Sequence, residues 1–448
     1  MIRTNAQRLA RILTTTLTGL LALELAAVSP TRAAAAAGQL DNTFANGGIF
    51  LAINAGIRDS VANAVAIDSK GRIVVAGETL GQEVGVLRLN SNGTLDTSFG
   101  DHGVASVDFF VPGDIATCVV LQPDGKIVIG VSFADEPALL LIRFDENGAL
   151  DTTFGGAGLA NLIFNGGPNT AFVLLLPDGR FLVGGGMLMA RVTADGKRDT
   201  TFGQDGLAPL VAPAGLILLQ SDGKILAISG PTGNVESTPL MSIEFFPLDS
   251  TIVRYNEDGS LDTSLATLGR IASIVGITGA QLQSNGQIVA VGPIVSKSIV
   301  SLAGQSLTFE TAFAVARYNS DGVVDDTFGS KGAVITSFDN APFAFPSSVV
   351  IQSDGRIIAA GEVDVSPRPT FALARYISTG VLDTSFGSGG TVITSIGPSS
   401  SRNTAGIVAI ALDGEGRLVA VGNLTLPNPT GYGRPEHSMV VALSHTIG

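Results

Sequence analysis

Leu95-Asp96-Thr97-Ser98-Phe99-Gly100 is one of seven related stretches that recur along this chain of 448 residues. The other six begin, in chain order, at Leu40, Leu150, Arg198, Leu261, Val324 and Leu382. The first Asp of the seven stretches stands at positions 41, 96, 151, 199, 262, 325 and 383, so the spacing ranges from 48 to 63 residues. A period of this size indicates a supersecondary unit that is repeated along the chain.

The second unit shows the pattern within one repeat. Four apolar runs, which we name strands A to D, cover residues 104–110, 116–122, 126–131 and 138–144. Pro123-Asp124-Gly125 separates strands B and C, and most other units carry Asp-Gly or Asn-Gly at the same place. Such a dipeptide between two apolar runs predicts a tight β-hairpin, because both turn residues need a positive φ. The nearly continuous apolar runs around these turns are typical of strands that are buried on both faces.

Seven four-stranded antiparallel units predict an all-β fold, a seven-bladed β-propeller in which sheets pack face to face around an axis. A stacked β-solenoid is the alternative, but its coils take about 20–30 residues and need no two-residue hairpin. The expected blades span residues 40–94, 95–149, 150–197, 198–260, 261–323, 324–381 and 382–448, within one domain, 38–448. The sequence leaves open whether side-chain packing or a strand exchanged between the termini closes the ring.

The repeat resembles a known family. The Leu-Asp-Thr-Ser-Phe-Gly stretch, the Asp-Gly-Lys hairpin and the strand Ala372-Leu373-Ala374-Arg375-Tyr376 are similar to the delta-60 repeat of secreted bacterial proteins. The resemblance covers essentially all of residues 40–448 and is weakest in units 3, 4 and 5. It implies a β-propeller of uncharacterised function in an exported protein, and it offers no catalytic residues to transfer.

The first 37 residues have the order of a secretory signal. Arg3, Arg8 and Arg11 make a basic start, an apolar run follows over residues 12–28, and small residues occupy 33–37. An uncleaved membrane anchor is the alternative, but the apolar run is short for a span and contains Thr and Glu residues. We therefore expect cleavage within 35–37, no membrane span afterwards, and a periplasmic, cell-surface or extracellular location.

The net charge argues against a nucleic-acid partner, and the cysteine content excludes an intrachain disulfide. The formal charge is −13, and it becomes −16 without residues 1–37, which carry four Arg and one Glu. A surface this acidic repels phosphate backbones and anionic lipids, so we expect no nucleic-acid partner. Cys118 is the only cysteine, so we expect a buried thiol with no intrachain disulfide. The chain is expected to be a monomer.

Two features of the repeat carry polar chemistry. The corner between strand D and the next strand A, as in Asn90 to Asp96, places oxygen side chains around a glycine. An Asx turn explains this pattern, and a calcium site is the alternative, although the acidic spacing of known calcium loops is missing. We therefore expect no cofactor, with calcium at the corners as the one alternative.

The second feature is an arginine that recurs at one position of strand D. Its copies are Arg88, Arg143, Arg191, Arg254, Arg317 and Arg375, and the seventh unit is assigned Ala442 at this position. Because an unpaired buried charge is very costly, we predict that each arginine pairs with the Asp of a corner stretch. A ligand-binding ring of arginines is the alternative.

No group of residues predicts catalysis. The three histidines, His102, His437 and His445, fall in unrelated parts of their units, and there is no nucleophile elbow or phosphate-binding loop. We therefore predict no catalytic, cofactor-binding or metal-binding residue.

The departures from the repeat lie in the C–D connections, at residues 231–250, 293–311, 363–370 and 424–438. In an up-and-down sheet these connections share one side of the ring, which we call the variable face. The B–C turns, such as 123–125 and 353–355, and the D–A corners share the other side, the regular face. Variable loops on a rigid scaffold are the usual place for binding. Apolar residues of these loops that lack a repeat role are the predicted contacts: Phe245, Phe246, Ile294, Ile299 and Tyr432.

These observations predict an exported, non-enzymatic propeller that acts as a binding or surface scaffold for an unknown protein or glycan. Two alternatives stay open. The long loops fold back as extra hairpins over the blade edges, or the protein is a hydrolase or lyase with its site in the central channel.

Overall fold

The computed structural model describes residues 36–79, 83–108, 114–133, 138–163, 172–230, 250–266, 268–300, 307–365, 368–396, 404–426 and 436–446. Among these residues, none forms a helix with the length and apolar character that a membrane crossing requires. The predicted signal lies outside the described residues except for Ala36 and Ala37. Ala37 is buried, and its carbonyl accepts a hydrogen bond of 2.9 Å from the Gly387 amide. Ala37 therefore packs with the folded residues, and the cleavage expected within 35–37 stays a prediction.

The described residues contain one short 3₁₀ helix, Ala52–Ala55, and strands that are joined by turns and loops. In chain order the strands are β1 Ile49–Leu51, β2 Val61–Ile67, β3 Ile73–Thr79, β4 Glu83–Leu89, β5 Val104–Val107, β6 Ile115–Leu121, β7 Ile127–Ser132, β8 Ala138–Phe144, β9 Leu159–Ile163, β10 Phe172–Leu175, β11 Phe181–Val192, β12 Leu207–Ala214, β13 Leu216–Leu219, β14 Ile225–Ile228, β15 Thr251–Tyr255, β16 Arg270–Ala272, β17 Gly279–Leu282, β18 Ile288–Val300, β19 Leu307–Tyr318, β20 Ala333–Thr336, β21 Ala344–Ile351, β22 Ile357–Val365, β23 Arg368–Tyr376, β24 Thr391–Thr394, β25 Thr404–Leu412, β26 Leu418–Leu426 and β27 Glu436–Ser444.

These strands form seven antiparallel sheets, which confirms the seven-bladed propeller. From the axis outwards, the blades are β2-β3-β4-β5, β6-β7-β8-β9, β10-β11-β12, β13-β14-β15-β16, β17-β18-β19-β20, β21-β22-β23-β24 and β25-β26-β27-β1, numbered 1 to 7 below. Blade 3 has three strands because β11 runs through the positions of both C and D of its unit. The first strand of each blade contacts the first strand of both neighbouring blades, so these seven strands surround the axis.

Each blade combines strands B, C and D of one sequence unit with strand A of the next unit. In blade 1, for example, β5 pairs with β4 through Val86 and Ala105. The corner stretch produces this arrangement, because it turns the chain back along strand D. The Asp96 amide donates to the Arg88 carbonyl at 3.0 Å, and Leu95 bridges to Leu89. The blade ranges expected from the sequence therefore describe the repeats and not the sheets.

The ring closes by exchange of a strand between the two ends of the chain. β1 pairs antiparallel with β27, with Ile49 opposite Ala442 and Leu51 opposite Val440. Around this pair the Asp41 amide donates to the Leu443 carbonyl at 2.9 Å. The N-terminal residues thus supply the outer strand of blade 7, which resolves the question that the sequence left open.

Apolar side chains fill the spaces between neighbouring blades. The corner stretch contributes a fully buried ring to most of these spaces, as at Phe99 and Phe154, and Leu265 replaces the ring in its unit. Full burial of a phenylalanine stabilises a fold by about 1.5–3 kcal/mol. The corner stretch is thus a packing element as well as a turn.

Candidate functional site

The regular face is held by a hydrogen-bond network at each corner. In the second unit, Asp96 Oδ2 accepts from Arg88 Nε at 2.8 Å and lies 3.5 Å from Arg72 Nη1. Asp96 Oδ1 accepts from the Ser98 amide at 3.2 Å and from the Ser98 hydroxyl at 2.6 Å. Both carboxylate oxygens are therefore bound within the protein.

The same arginine also joins neighbouring blades. Arg88 Nη1 donates to the Glu146 carbonyl of the next corner at 2.7 Å. Its guanidinium carbon lies 4.0 Å from the centre of the Phe99 ring, within the range of a cation–π contact. One side chain thus links strand D, its own corner and the next blade.

The predicted arginine–aspartate bridge is confirmed in six units. The other five pairs are Arg143–Asp151 at 2.8 Å, Arg191–Asp199, Arg254–Asp262 and Arg317–Asp325 at 2.7 Å, and Arg375–Asp383 at 3.0 Å. The arginines are buried within the sheets and the corners. Because they are buried there, these arginines do not form the alternative arrangement, a ring that is open to a ligand.

The seventh unit differs from its sequence assignment. Val419 pairs with Leu443 as Val74 pairs with Arg88. The arginine position is therefore occupied by Leu443, and the assignment to Ala442 is wrong by one residue. Asp41 of this unit lies 3.3 Å from Arg417 Nη1 and 3.7 Å from His445 Nε2.

The corner carboxylates are stabilised in their ionised form. Burial alone would raise the pKa of Asp96, but the hydrogen bond from Ser98 and the charge of Arg88 outweigh burial and lower the pKa. At the adjacent turn, Asn92 Oδ1 accepts from the Thr94 amide at 3.0 Å, which is the expected Asx turn. No group of three or more His, Cys, Asp or Glu suited to a metal occurs among the described residues. Calcium at the corners stays an untested alternative to the prediction of no cofactor.

The strands at the axis lack groups that transfer protons near neutral pH. The innermost strands, β2, β6, β10, β13, β17, β21 and β25, contain no Asp, Glu, His, Lys or Arg within their described bounds. Cys118 is on one of them, and burial raises the pKa of its thiol to about 11. The thiol therefore stays protonated and is a poor nucleophile at neutral pH.

Polar side chains near the axis tie neighbouring blades together. Asn63 Nδ2 donates to the Ala116 carbonyl at 3.0 Å, and Ser347 Oγ donates to the Ile407 carbonyl at 2.6 Å. At the junction of blades 7 and 1 these bonds come from Asn423 of β26, whose amide accepts from the Ala62 N–H at 2.7 Å and donates to the Ala62 carbonyl at 2.9 Å. The polar groups of the axis are thus used to hold the ring.

The variable face carries a long hairpin. β18 and β19 pair as far as Val300 and Leu307, with a register shift between Val295 and Lys297. Most of the expected insertion at 293–311 therefore extends the sheet of blade 5. This observation agrees with the alternative in which the long connections form extra hairpins.

The structure locates some of the predicted contact residues. Ile294 is half-buried and packs against the core between blades 4 and 5. Ile299 belongs to β18, but its side chain is outside the described part of the chain, as are Phe245, Phe246 and Tyr432 entirely. The contact role of these five residues stays a prediction.

Two carboxylates that the sequence analysis did not single out lie at the variable end of strand C. Glu78 and Glu362 occupy the same repeat position as Asn423. Burial raises the pKa of Glu78, although the nearby His437 opposes it. Burial also raises the pKa of Glu362, and the charge of Asp364 adds to the shift. One feature of the sequence could have identified these positions: a polar residue follows Gly77, Gly361 or Gly422 at the end of an apolar strand.

These two carboxylates point into different spaces of the ring. Alternate residues of a strand share a side, and Ile358 and Ala360 pack against blade 7, so Glu362 faces blade 7 as well. Its carboxylate lies against Gly406 of β25. Val74 packs against blade 2, which places Glu78 on that side. The two groups therefore do not form a catalytic pair.

Comparison with solved structures finds several proteins with which the chain aligns. A polysaccharide lyase, Uly1, is 11% identical, with 86% of this chain and 90% of that chain covered and a TM-score of 0.44. A luciferin-regenerating enzyme is 10% identical, with 74% and 92% covered and a TM-score of 0.39. A gluconolactonase of Xanthomonas campestris is 15% identical, with 70% and 82% covered and a TM-score of 0.33. Values this low carry no statement about activity.

Sequence comparison supports the repeat directly. No curated protein matches the chain. Six segments match a family model described as "Domain of unknown function (DUF5122) beta-propeller", at residues 71–99, 122–154, 176–202, 247–265, 302–328 and 352–386. The narrower resemblance to the delta-60 repeat stays a prediction. In these six segments the chain is similar to a β-propeller repeat family of unknown function, in agreement with the seven sheets.

Proposed function

We propose that this chain is an exported, non-enzymatic β-propeller that acts as a binding or surface scaffold, with its variable face in contact with a protein or glycan. The observation that carries the proposal is the use of polar groups at the axis. Within their described bounds the innermost strands have no acid–base residue, and polar side chains such as Asn63 and Ser347 bond neighbouring blades. The places that depart from the repeat are the C–D connections, where a rigid scaffold can carry a binding surface.

The competing function is a hydrolase or lyase with its site at the axis. Such an enzyme needs an acid and a base that converge on one substrate bond. Half-buried carboxylates with raised pKa values are the groups that an enzyme would use, and here these are Glu78 and Glu362. Because they face different gaps of the ring, the geometry favours the scaffold.

A loop-shortening experiment tests the proposal. One variant replaces residues 296–309 of the β18–β19 hairpin with an Asn-Gly turn, and a control variant changes the regular-face turn by Ser353→Ala. Both are compared with the full chain for binding to immobilised envelope proteins and polysaccharides, after calorimetry has shown an unchanged melting temperature. We expect the shortened hairpin to lose binding and the control to keep it.

Two results would contradict parts of this proposal. Turnover of a lactone or polysaccharide that is abolished by Glu362→Gln or Glu78→Gln, in a folded protein, would contradict the scaffold. Binding that survives shortening of every long C–D connection would remove the variable face from the proposal.

A further inference from the structure

Two clefts open between blades at equivalent places on the regular face. One lies between blades 3 and 4 and has a volume of about 490 Å³, and the other lies between blades 1 and 2 and has a volume of about 330 Å³. Each cleft is lined by two successive B–C turns and by the glutamate of the following corner, Glu257 or Glu146. The repeat therefore builds the same kind of cavity twice, on the face opposite the long loops.

The cleft between blades 3 and 4 has an apolar base and an acidic rim. Leu182 and Ile225 are buried at its base. The charged residues in its lining are Asp178, Asp222, Glu257 and Arg180, which gives a net charge of −2. Aliphatic side chains at the bottom of a cleft with a negatively charged rim are suited to an organic cation with a hydrocarbon stem.

Several hydrogen-bond acceptors in this cleft can accept a hydrogen bond from a ligand. Gln220 is 7% exposed, and its Oε1 has no hydrogen-bond partner among the described residues. The carboxylate of Glu257 lies against Gly223. Within the described part of the chain, Asp222 Oδ1 accepts only from the Lys224 amide, at 3.1 Å. An unpartnered buried acceptor is costly unless a donor reaches it. The cleft thus presents acceptors to a group that is rich in N–H donors.

The cleft between blades 1 and 2 provides an internal comparison. Its lining has three carboxylates, but it also has three cations, Lys70, Arg72 and Arg88, so its net charge is 0. Lys70 stands at the turn position that Asp178 occupies in the other cleft. In this cleft the acceptor Oε1 of Gln122 lies 3.5 Å from Arg143 Nη1. The second cleft therefore lacks both the negative charge and the unpartnered amide oxygen.

We propose that the cleft between blades 3 and 4 binds a primary ammonium group on an aliphatic stem, the chemistry shared by a lysine side chain and an alkyl diamine. The three N–H donors of the ammonium match the acceptors of Gln220, Glu257 and Asp222, and the stem covers Leu182 and Ile225. The site lies on the regular face, so it does not depend on the function proposed for the variable face.

Isothermal titration of the full chain with 1,5-diaminopentane and with N-acetyl-lysine amide tests the site and separates the two sources of the ligand. We expect one site for at least one probe, no binding of the neutral 1,5-pentanediol, and weaker binding as NaCl rises from 20 mM to 0.5 M. Asp178→Lys should weaken binding at least tenfold, and Gln220→Leu should weaken it several-fold.

The control is Asp101→Lys, an equal change of charge at a side chain that is 87% exposed and outside both clefts. It should leave the affinity unchanged. If Asp101→Lys weakens binding as much as Asp178→Lys does, the attraction is only that of an acidic protein and the site is refuted. Absence of binding for both probes, or binding that Asp178→Lys and Gln220→Leu leave intact, also overturns the proposal.

Discussion

The corner network makes a quantitative prediction, because its units differ in how many cations surround the aspartate. Asp262 is bound by Arg254 at 2.7 Å and by Lys224 at 2.6 Å. Asp325 is bound by Arg317 at 2.7 Å, but its second partner is the neutral amide of Gln287, at 2.8 Å. Removal of the arginine therefore leaves Asp262 with a cation and Asp325 without one.

We expect Arg317→Leu to destabilise the protein more than Arg254→Leu does. An uncompensated buried charge costs about 3–5 kcal/mol, whereas loss of a charge-assisted hydrogen bond to an aspartate that keeps another cation costs about 1.5–3 kcal/mol. Both variants also lose the arginine's hydrogen bond to a carbonyl of the next corner, Ser320 or Ser378, which adds to both values. For a fold of about 410 residues the unfolding entropy is near 0.9 kcal/mol per kelvin, so these two costs lower the melting temperature by about 3–6 K and about 2–3 K, respectively. Differential scanning calorimetry at pH 7 measures both values.

A rescue variant isolates the role of the charge. Arg317 also lies over the Phe328 ring, at 4.6 Å, a contact that Arg254 lacks because its unit has Leu265. Adding Gln287→Lys to Arg317→Leu restores a cation beside Asp325 without restoring the ring contact. This double variant should regain about half of the loss or more.

The pH dependence gives a second check on the same variants. The pKa of Asp325 lies below its usual value of 3.8, because the Thr327 and Arg317 hydrogen bonds outweigh burial. The stability that this lowering provides is present above the pKa of the unfolded chain and is lost as the pH falls towards the folded value. The gap between the wild type and Arg317→Leu should therefore shrink below about pH 4. An equal or larger loss in Arg254→Leu, or no rescue by Gln287→Lys, would refute this account of the network.

Three further predictions follow from buried groups elsewhere. Burial raises the pKa of Glu362, so the ionised side chain lowers the stability of the fold at pH 7. Glu362→Gln should therefore raise the melting temperature at pH 7, and this gain should disappear below about pH 4.5. A gain that is the same at both pH values would contradict the reasoning. Asn423→Leu leaves the Ala62 N–H and C=O without their partner, so we expect a loss of about 2–6 kcal/mol, seen by calorimetry as a fall of several kelvin; a negligible fall would be inconsistent with the two bonds. The Cys118 thiol is half-buried, and burial raises its pKa to about 11. It should therefore react with a thiol reagent at pH 8 much more slowly in the folded protein than in the denatured protein, and equal labelling rates would contradict the raised pKa.

Sequence reasoning located the faces of the ring better than it located individual contacts. The Asp-Gly turns and the corner stretch predicted a regular face, and the arginine–aspartate pairs follow from the cost of a buried charge. The same reasoning did not identify Glu78 and Glu362, because a single glutamate after an apolar strand looks like a residue at a strand end. Their half-buried environment depends on the neighbouring blade, for example on Gly406 beside Glu362.

The sequence by itself determined the all-β repeat, the number of units and the pairing of each arginine with a corner aspartate, and the structure showed that the partner is the aspartate eight residues later. These features depend on turn conformations and on charges that are close along the chain, so the residue types carry them. Only the tertiary structure decided that strand A joins the blade of the preceding unit and that β1 completes blade 7 beside β27. It also decided which groups meet between blades, as Asn423 meets Ala62 across 361 positions. Such contacts form only when the ring closes, since the strands involved are similar enough that local preference does not choose their neighbours.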